Sequence, residues 1–187
     1  MNKNTIFLTG FEKFGKYSSN LSSDIVRNFD DKLHRYSIEK IILPVSWKRS
    51  IDLYLEFCKS NELKPSLVIL LGIYSKKRIS LEKVSLNWVS GKDMDGKYKF
   101  GFINKNKSLK LKTILNIKEI YKALKSNIRL AVSYFPGFYL CNFMYFWALD
   151  ISKNEYPVLF IHIPKNGKLE EYSSKIKKII VEILKTH

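Results

Sequence analysis

The chain has 187 residues, 45% of them hydrophobic, with two cysteines and a formal net charge of +16. That is enough for one domain with its own core, and it excludes a disulfide-stapled scaffold. Cys58 and Cys141 form neither a CxxC pair nor a cluster with metal-ligand spacing, so no metal or cofactor is expected.

The charge is mostly lysine spread along the chain. Lys105 to Lys112 and Lys76-Lys77-Arg78 come nearest to blocks. This reads as a solvated surface, and nucleic acid is not the expected partner. The most apolar stretch, Phe135 to Leu149, is too short to cross a bilayer. The start, MNKNTIFLTG, has only Ile6 to Leu8 as an apolar run and no small-residue cleavage site, so a soluble, cytoplasmic protein is expected.

In chain order, Thr5 to Thr9 reads as a strand, and Leu21, Ile25, Val26 and Phe29 mark one face of a helix. Glu39 to Pro44 is a second strand. Ser46 is a suitable N-cap for a helix whose stripe is Trp47, Ile51, Leu55 and Cys58, which makes Cys58 a core residue. Ser66 to Leu71 is a continuous apolar run, read as a strand buried on both faces and ended by Gly72. Ile79 to Trp88 is expected to extend as one strand, Gly91 to Gly101 to be turn-rich, and the residues from Asn104 to form a polar loop.

Ile117 to Leu124 reads as a short helix and Leu130 to Ser133 as a short strand. Tyr139 to Asp150 is apolar almost all round and should be a buried helix. Val158 to Ile163 is another buried strand, followed by a helix with Leu169, Tyr172, Ile176, Ile179 and Ile183 on one face. Strands alternating with helices imply an α/β fold, and no repeat or linker divides residues 1–187.

Three residues carry candidate chemistry. Cys141 follows a strand and a Pro-Gly turn at the start of a helix, where free N–H groups and the helix dipole favour a thiolate. A small residue filling space in a buried helix is the other reading. His162 lies at the end of an apolar strand, where open α/β sheets place ligands; a satisfied core histidine fits equally. Glu82, among Leu81, Val84 and Leu86, would need a partner if buried, and taken alone it reads as solvent-facing beside Lys83. His34 and His187 compete poorly as a base. The order Glu…Cys…His is compatible with a thiol–imidazole–carboxylate arrangement.

Five stretches resemble the pyroglutamyl peptidase I family of cysteine peptidases. TGFEKFG at Thr9 to Gly15 resembles the family's TGFEPFG, and Leu43-Pro44-Val45 its LPV. ISLEKVSLN at Ile79 to Asn87 resembles its glutamate-bearing strand, GFYLCN at Gly137 to Asn142 its nucleophile segment, and FIHIP at Phe160 to Pro164 its FIHVP.

The resemblance implies a single domain, with a mixed, mostly parallel sheet between helices on both faces. It implies Cys141 as nucleophile, His162 as base and Glu82 as the acid that orients it. Phe11 and Phe14 would flank a pyroglutamyl ring, with Tyr139 and Leu140 lining its pocket. Ile73, in the turn after Gly72, and Lys92, where the family has arginine, are further binding candidates. It also implies hydrolysis after an N-terminal pyroglutamate through a thioester, and a homo-oligomer.

The chain departs from the pattern at Lys13, in the turn Gly72-Ile73-Tyr74-Ser75-Lys76-Lys77, at Lys92, and in Ser133-Tyr134-Phe135-Pro136. Two alternatives follow from those departures and from the charge. One is a non-catalytic relative whose basic surface binds nucleic acid or an acidic partner. The other is a thiol amidohydrolase of different specificity.

Overall fold

The computed structural model describes residues 4–15, 19–60 and 64–186. The strands are β1 (Thr5–Phe11), β2 (Lys32–Leu33), β3 (Tyr36–Leu43), β4 (Leu67–Tyr74), β5 (Ile79–Glu82), β6 (Val84–Leu86), β7 (Val89–Lys92), β8 (Tyr98–Gly101), β9 (Lys110–Lys112), β10 (Leu130–Ser133) and β11 (Val158–Pro164). The helices are α1 (Leu21–Asn28), α2 (Trp47–Ser60), α3 (Ile117–Leu124), α4 (Leu140–Ser152) and α5 (Leu169–Lys185).

Seven strands make one sheet in the order β10-β5-β11-β4-β1-β3-β2. Its middle is parallel, while β5 runs antiparallel to β11 and β2 antiparallel to β3. Leu67 to Leu71 and Val158 to Pro164 are buried throughout, as the unbroken apolar runs require when both faces of a strand are covered. Ile6, Leu8, Ile69, Ile161 and Ile163 face α1, α3 and α5; Phe7, Phe11, Val68, Leu70 and Phe160 face α2 and α4. This is an α/β/α sandwich, with the helices split between the two faces by strand alternation.

The structure corrects several expected elements. β4 does not stop at Gly72. β11 runs beside it through the pair Pro164↔Tyr74, so ladder bonds carry the strand two residues further. Ile79 to Trp88 is not one strand. The chain leaves the sheet at Lys83, and β6 pairs instead with β9, a strand inside the expected polar loop. The turn-rich segment holds a hairpin of β7 and β8. On α2 the buried position of the third turn is Tyr54, while Leu55 is 37% exposed, so the stripe passes one residue earlier than expected. Ser46 does cap α2, its hydroxyl accepting from the Arg49 N–H at 3.2 Å.

Candidate active site

The carboxyl ends of β1, β4 and β11 open beside the start of α4, the usual place for a ligand in an open α/β sheet. His162 pairs with Gly72 on β4 and with Ser80 on β5; Glu82 pairs with Phe160. Glu82 and His162 are therefore diagonal neighbours on one face, close enough for their side chains to meet. His162 Nδ1 lies 2.8 Å from Glu82 Oε1, and both side chains are buried.

The other oxygen of that carboxylate, Oε2, has no hydrogen-bond partner among the described residues. A buried carboxylate bonded through one oxygen favours a positive neighbour. Nδ1 engaged by Glu82 leaves Nε2 for the thiol.

Cys141 is the second residue of α4, whose first turn has Tyr139 as N-cap and no side-chain cap. The N–H groups of that turn lack helical acceptors, and the dipole adds positive potential at the sulfur. The thiol and the imidazole share the wall of one cavity. Burial pulls the imidazole's pKa down, but the influence of Cys141 and Glu82 outweighs it and pushes it up to about 9. Cys58 differs. It is half-buried in the core beneath α2, and burial pushes its thiol up to about 11, against a smaller opposing effect of the Tyr54 hydroxyl.

Gly72 makes room for the sulfur. A Cβ there would lie 2.9 Å from Cys141 Sγ and 2.7 Å from Phe160 Cζ. Asn142, the next residue of α4, is wholly buried and locks the helix start in place. Its amide donates to the carbonyls of Leu86 (2.7 Å) and Trp88 (2.8 Å), and its carbonyl accepts from the Leu86 N–H (2.7 Å). Tyr145, one turn on from Cys141, donates to the Glu82 carbonyl at 2.8 Å and ties α4 to β5.

A cavity of about 220 Å³ opens onto the thiol, lined by Phe11, Phe14, Val45, Ile73, Tyr139 and Leu140 along with Cys141 and His162. It falls below the ~300 Å³ at which drug-sized ligand sites begin, so it suits a small group. Tyr139 is braced by the hairpin. Its hydroxyl donates to the Lys92 carbonyl at 2.8 Å, and its ring sits where a Cβ of Gly91 (φ +145°) would be.

All the candidate pocket residues named from the sequence line this cavity except Lys92. That residue is exposed, and its aliphatic stem runs toward Gly96 at the hairpin tip. Lys13, Lys76 and Phe135 are exposed too. His34 sits in an exposed turn, and His187 lies outside the described residues. Gly72, Tyr74 and Asn142 received no role from the sequence. A lone asparagine in an otherwise apolar helix was the one available signal, since it demands buried partners.

Among the described residues no group of His, Cys, Asp or Glu could hold a metal ion. None of the helices there is long and apolar enough to cross a membrane.

The family model for pyroglutamyl peptidase matches residues 4–172. The chain is 36% identical over 171 residues to the pyrrolidone-carboxylate peptidase of Thermococcus litoralis, covering 85% of this chain and 76% of that one. It superposes on the pyrrolidone carboxyl peptidase of Fervidobacterium islandicum with a TM-score of 0.87 at 32% identity, over 98% of this chain and 99% of that one. Pyroglutamyl peptidase I of Bacillus amyloliquefaciens gives a TM-score of 0.87 at 25% identity, over 98% and 95%. The chain belongs to the pyroglutamyl peptidase family.

Proposed function

We propose that the protein hydrolyses the peptide bond after an N-terminal pyroglutamyl residue, using Cys141, His162 and Glu82. The observation that carries this reading is the position of His162, bonded through Nδ1 to Glu82 and lining the same cavity as Cys141. A neutral lactam fits a small apolar slot between Phe11, Phe14 and Tyr139.

The steps are those open to a thiol, an imidazole and a carboxylate acting together. His162 takes the thiol proton, and the thiolate attacks the pyroglutamyl carbonyl. The Cys141 N–H, at the uncapped helix start, serves in this reading as a donor to the oxyanion. The imidazolium passes its proton to the leaving amine, which departs and leaves a thioester. His162 then removes a proton from water as it attacks the thioester. Collapse returns the thiol and frees pyroglutamate. Glu82 holds the ring so that Nε2 faces sulfur and stabilises the imidazolium.

A fluorogenic pyroglutamyl amide tests the proposal. Turnover should be lost in Cys141→Ala, lost on thiol alkylation, and mostly lost in a folded His162→Ala. Full activity in His162→Ala would remove it as the base. Turnover of other amides alone would make the protein a thiol amidohydrolase of different specificity.

The reading extends to one domain over the whole chain, a cytoplasmic setting and a homo-oligomer. Support for self-association is the exposed aromatic face of the hairpin, where Phe100 is 69% and Tyr98 66% exposed and Trp88 packs edge-on against Phe100 and Phe102. Light scattering should give a multiple of the 22.0 kDa chain mass, reduced by Phe100→Ser; a monomeric wild type would refute it.

A further inference from the structure

We propose that Tyr74 is a positioning residue for the base: its ring lies flat on the His162 imidazole, fixes the ring's plane and favours its protonated form. The inference rests on His162 acting as the base proposed above. The two rings are stacked, with centroids 5.1 Å apart and planes 17° apart. Phe160 covers the imidazole from elsewhere on the sheet at 4.8 Å and 51°.

The register explains how Tyr74 gets there. It lies two residues beyond Gly72 on the same face of β4, opposite Pro164 where Gly72 is opposite His162. Its side chain therefore reaches diagonally across β11. The far end is tied down on the other side. The phenol hydroxyl donates to the Arg78 carbonyl and lies 2.9 Å from Ser80 Oγ, and Ser80 is the β5 partner of His162. The tyrosine thus bridges β4 and the start of β5, with the imidazole beneath it.

Two effects of that cover oppose each other. An apolar lid alone keeps water from the imidazolium and lowers its pKa. The negative face of an aromatic ring attracts a cation and raises it. The other titratable groups facing His162 are Glu82 from β5 and Cys141 from α4; Arg78 adjoins the phenol hydroxyl. Replacing tyrosine by an aliphatic side chain of similar reach keeps the lid and removes the π face, so the two effects separate by experiment.

The chain has three histidines, so ring NMR titration of His162 is practical in the intact protein. Tyr74 is only part-buried, and its variants should fold. In Tyr74→Phe the midpoint should stay within about 0.2 pH unit of wild type. In Tyr74→Leu it should fall by roughly half a unit, with Tyr74→Met as a second aliphatic. The alkaline limb of kcat should move with the midpoint, and kcat should fall several-fold while KM holds.

Equal midpoints in the Phe and Leu variants, or a rise in Leu, would overturn the proposal. The titration needs no substrate. A wild type inert on pyroglutamyl amides that still shows the Phe/Leu difference would count against the peptidase reading alone, and an active wild type without the difference against Tyr74 alone.

Discussion

Substituting Gly72 by alanine puts one methyl group between the nucleophile and the sheet. The added Cβ would stand 2.9 Å from Cys141 Sγ and 2.7 Å from Phe160 Cζ. Carbon contacts are comfortable at about 3.5–4.0 Å, so the sulfur is at least about 0.6 Å and the ring at least about 0.8 Å too close. Phe160 is fully buried within a packed core and has little room to yield. The sulfur is half-exposed at a helix start and should give way, moving out of line with Nε2 and the carbonyl it attacks.

A displacement near 1 Å can cost about 100-fold in rate. Overpacking costs about 1–3 kcal/mol, against about 0.4–1 kcal/mol gained by stiffening the unfolded chain, for a net loss of about 1–2 kcal/mol. The assay is kcat/KM on a pyroglutamyl amide, with the alkylation rate of Cys141 followed by peptide mass spectrometry and stability followed by urea unfolding. A folded Gly72→Ala with near wild-type kcat/KM and alkylation rate would refute the argument that this glycine holds space for the thiol.

Asn142→Ala leaves two part-buried carbonyls and an N–H without partners. It should cost about 3 kcal/mol or more in urea unfolding; a loss under about 1 kcal/mol would mean the three bonds do not anchor α4. An alkylating reagent at neutral pH should label Cys141 well before Cys58, whose burial pushes its thiol up to about 11; the reverse order would contradict the site. His162 has a raised folded pKa of about 9, so the native state holds a proton that the unfolded chain releases near 6.5. Its contribution to stability is complete below about pH 6.5 and is lost as pH rises through about 9. The wild-type Tm should therefore fall across that window more steeply than that of Glu82→Gln, which removes one cause of the shift, and equal slopes would contradict the pairing.

The sequence made the layers legible. Unbroken apolar runs at Leu67–Leu71 and Val158–Ile163 became central strands because a strand covered on both sides has no solvent face to mark with polar residues. Helix periodicity gave α1 and α5 their inner faces. Cys141, His162 and Glu82 were read singly as ambiguous, and only the motifs in order singled them out together.

Tertiary structure decided what each of those residues touches. Periodicity reports how often a residue is buried, not which neighbour lies across the sheet. Glu82 meets a histidine 80 positions away because β5 runs antiparallel to β11. The parallel register of β4 against β11 put a glycine where the sulfur needs space and a tyrosine ring over the imidazole. The pairing of β7 with β8 sent Lys92 to the outside of a hairpin, where only its carbonyl serves the site. Chain order supplies the chemical groups, but distances of a few ångströms arise only once strand pairing fixes which residues lie opposite one another.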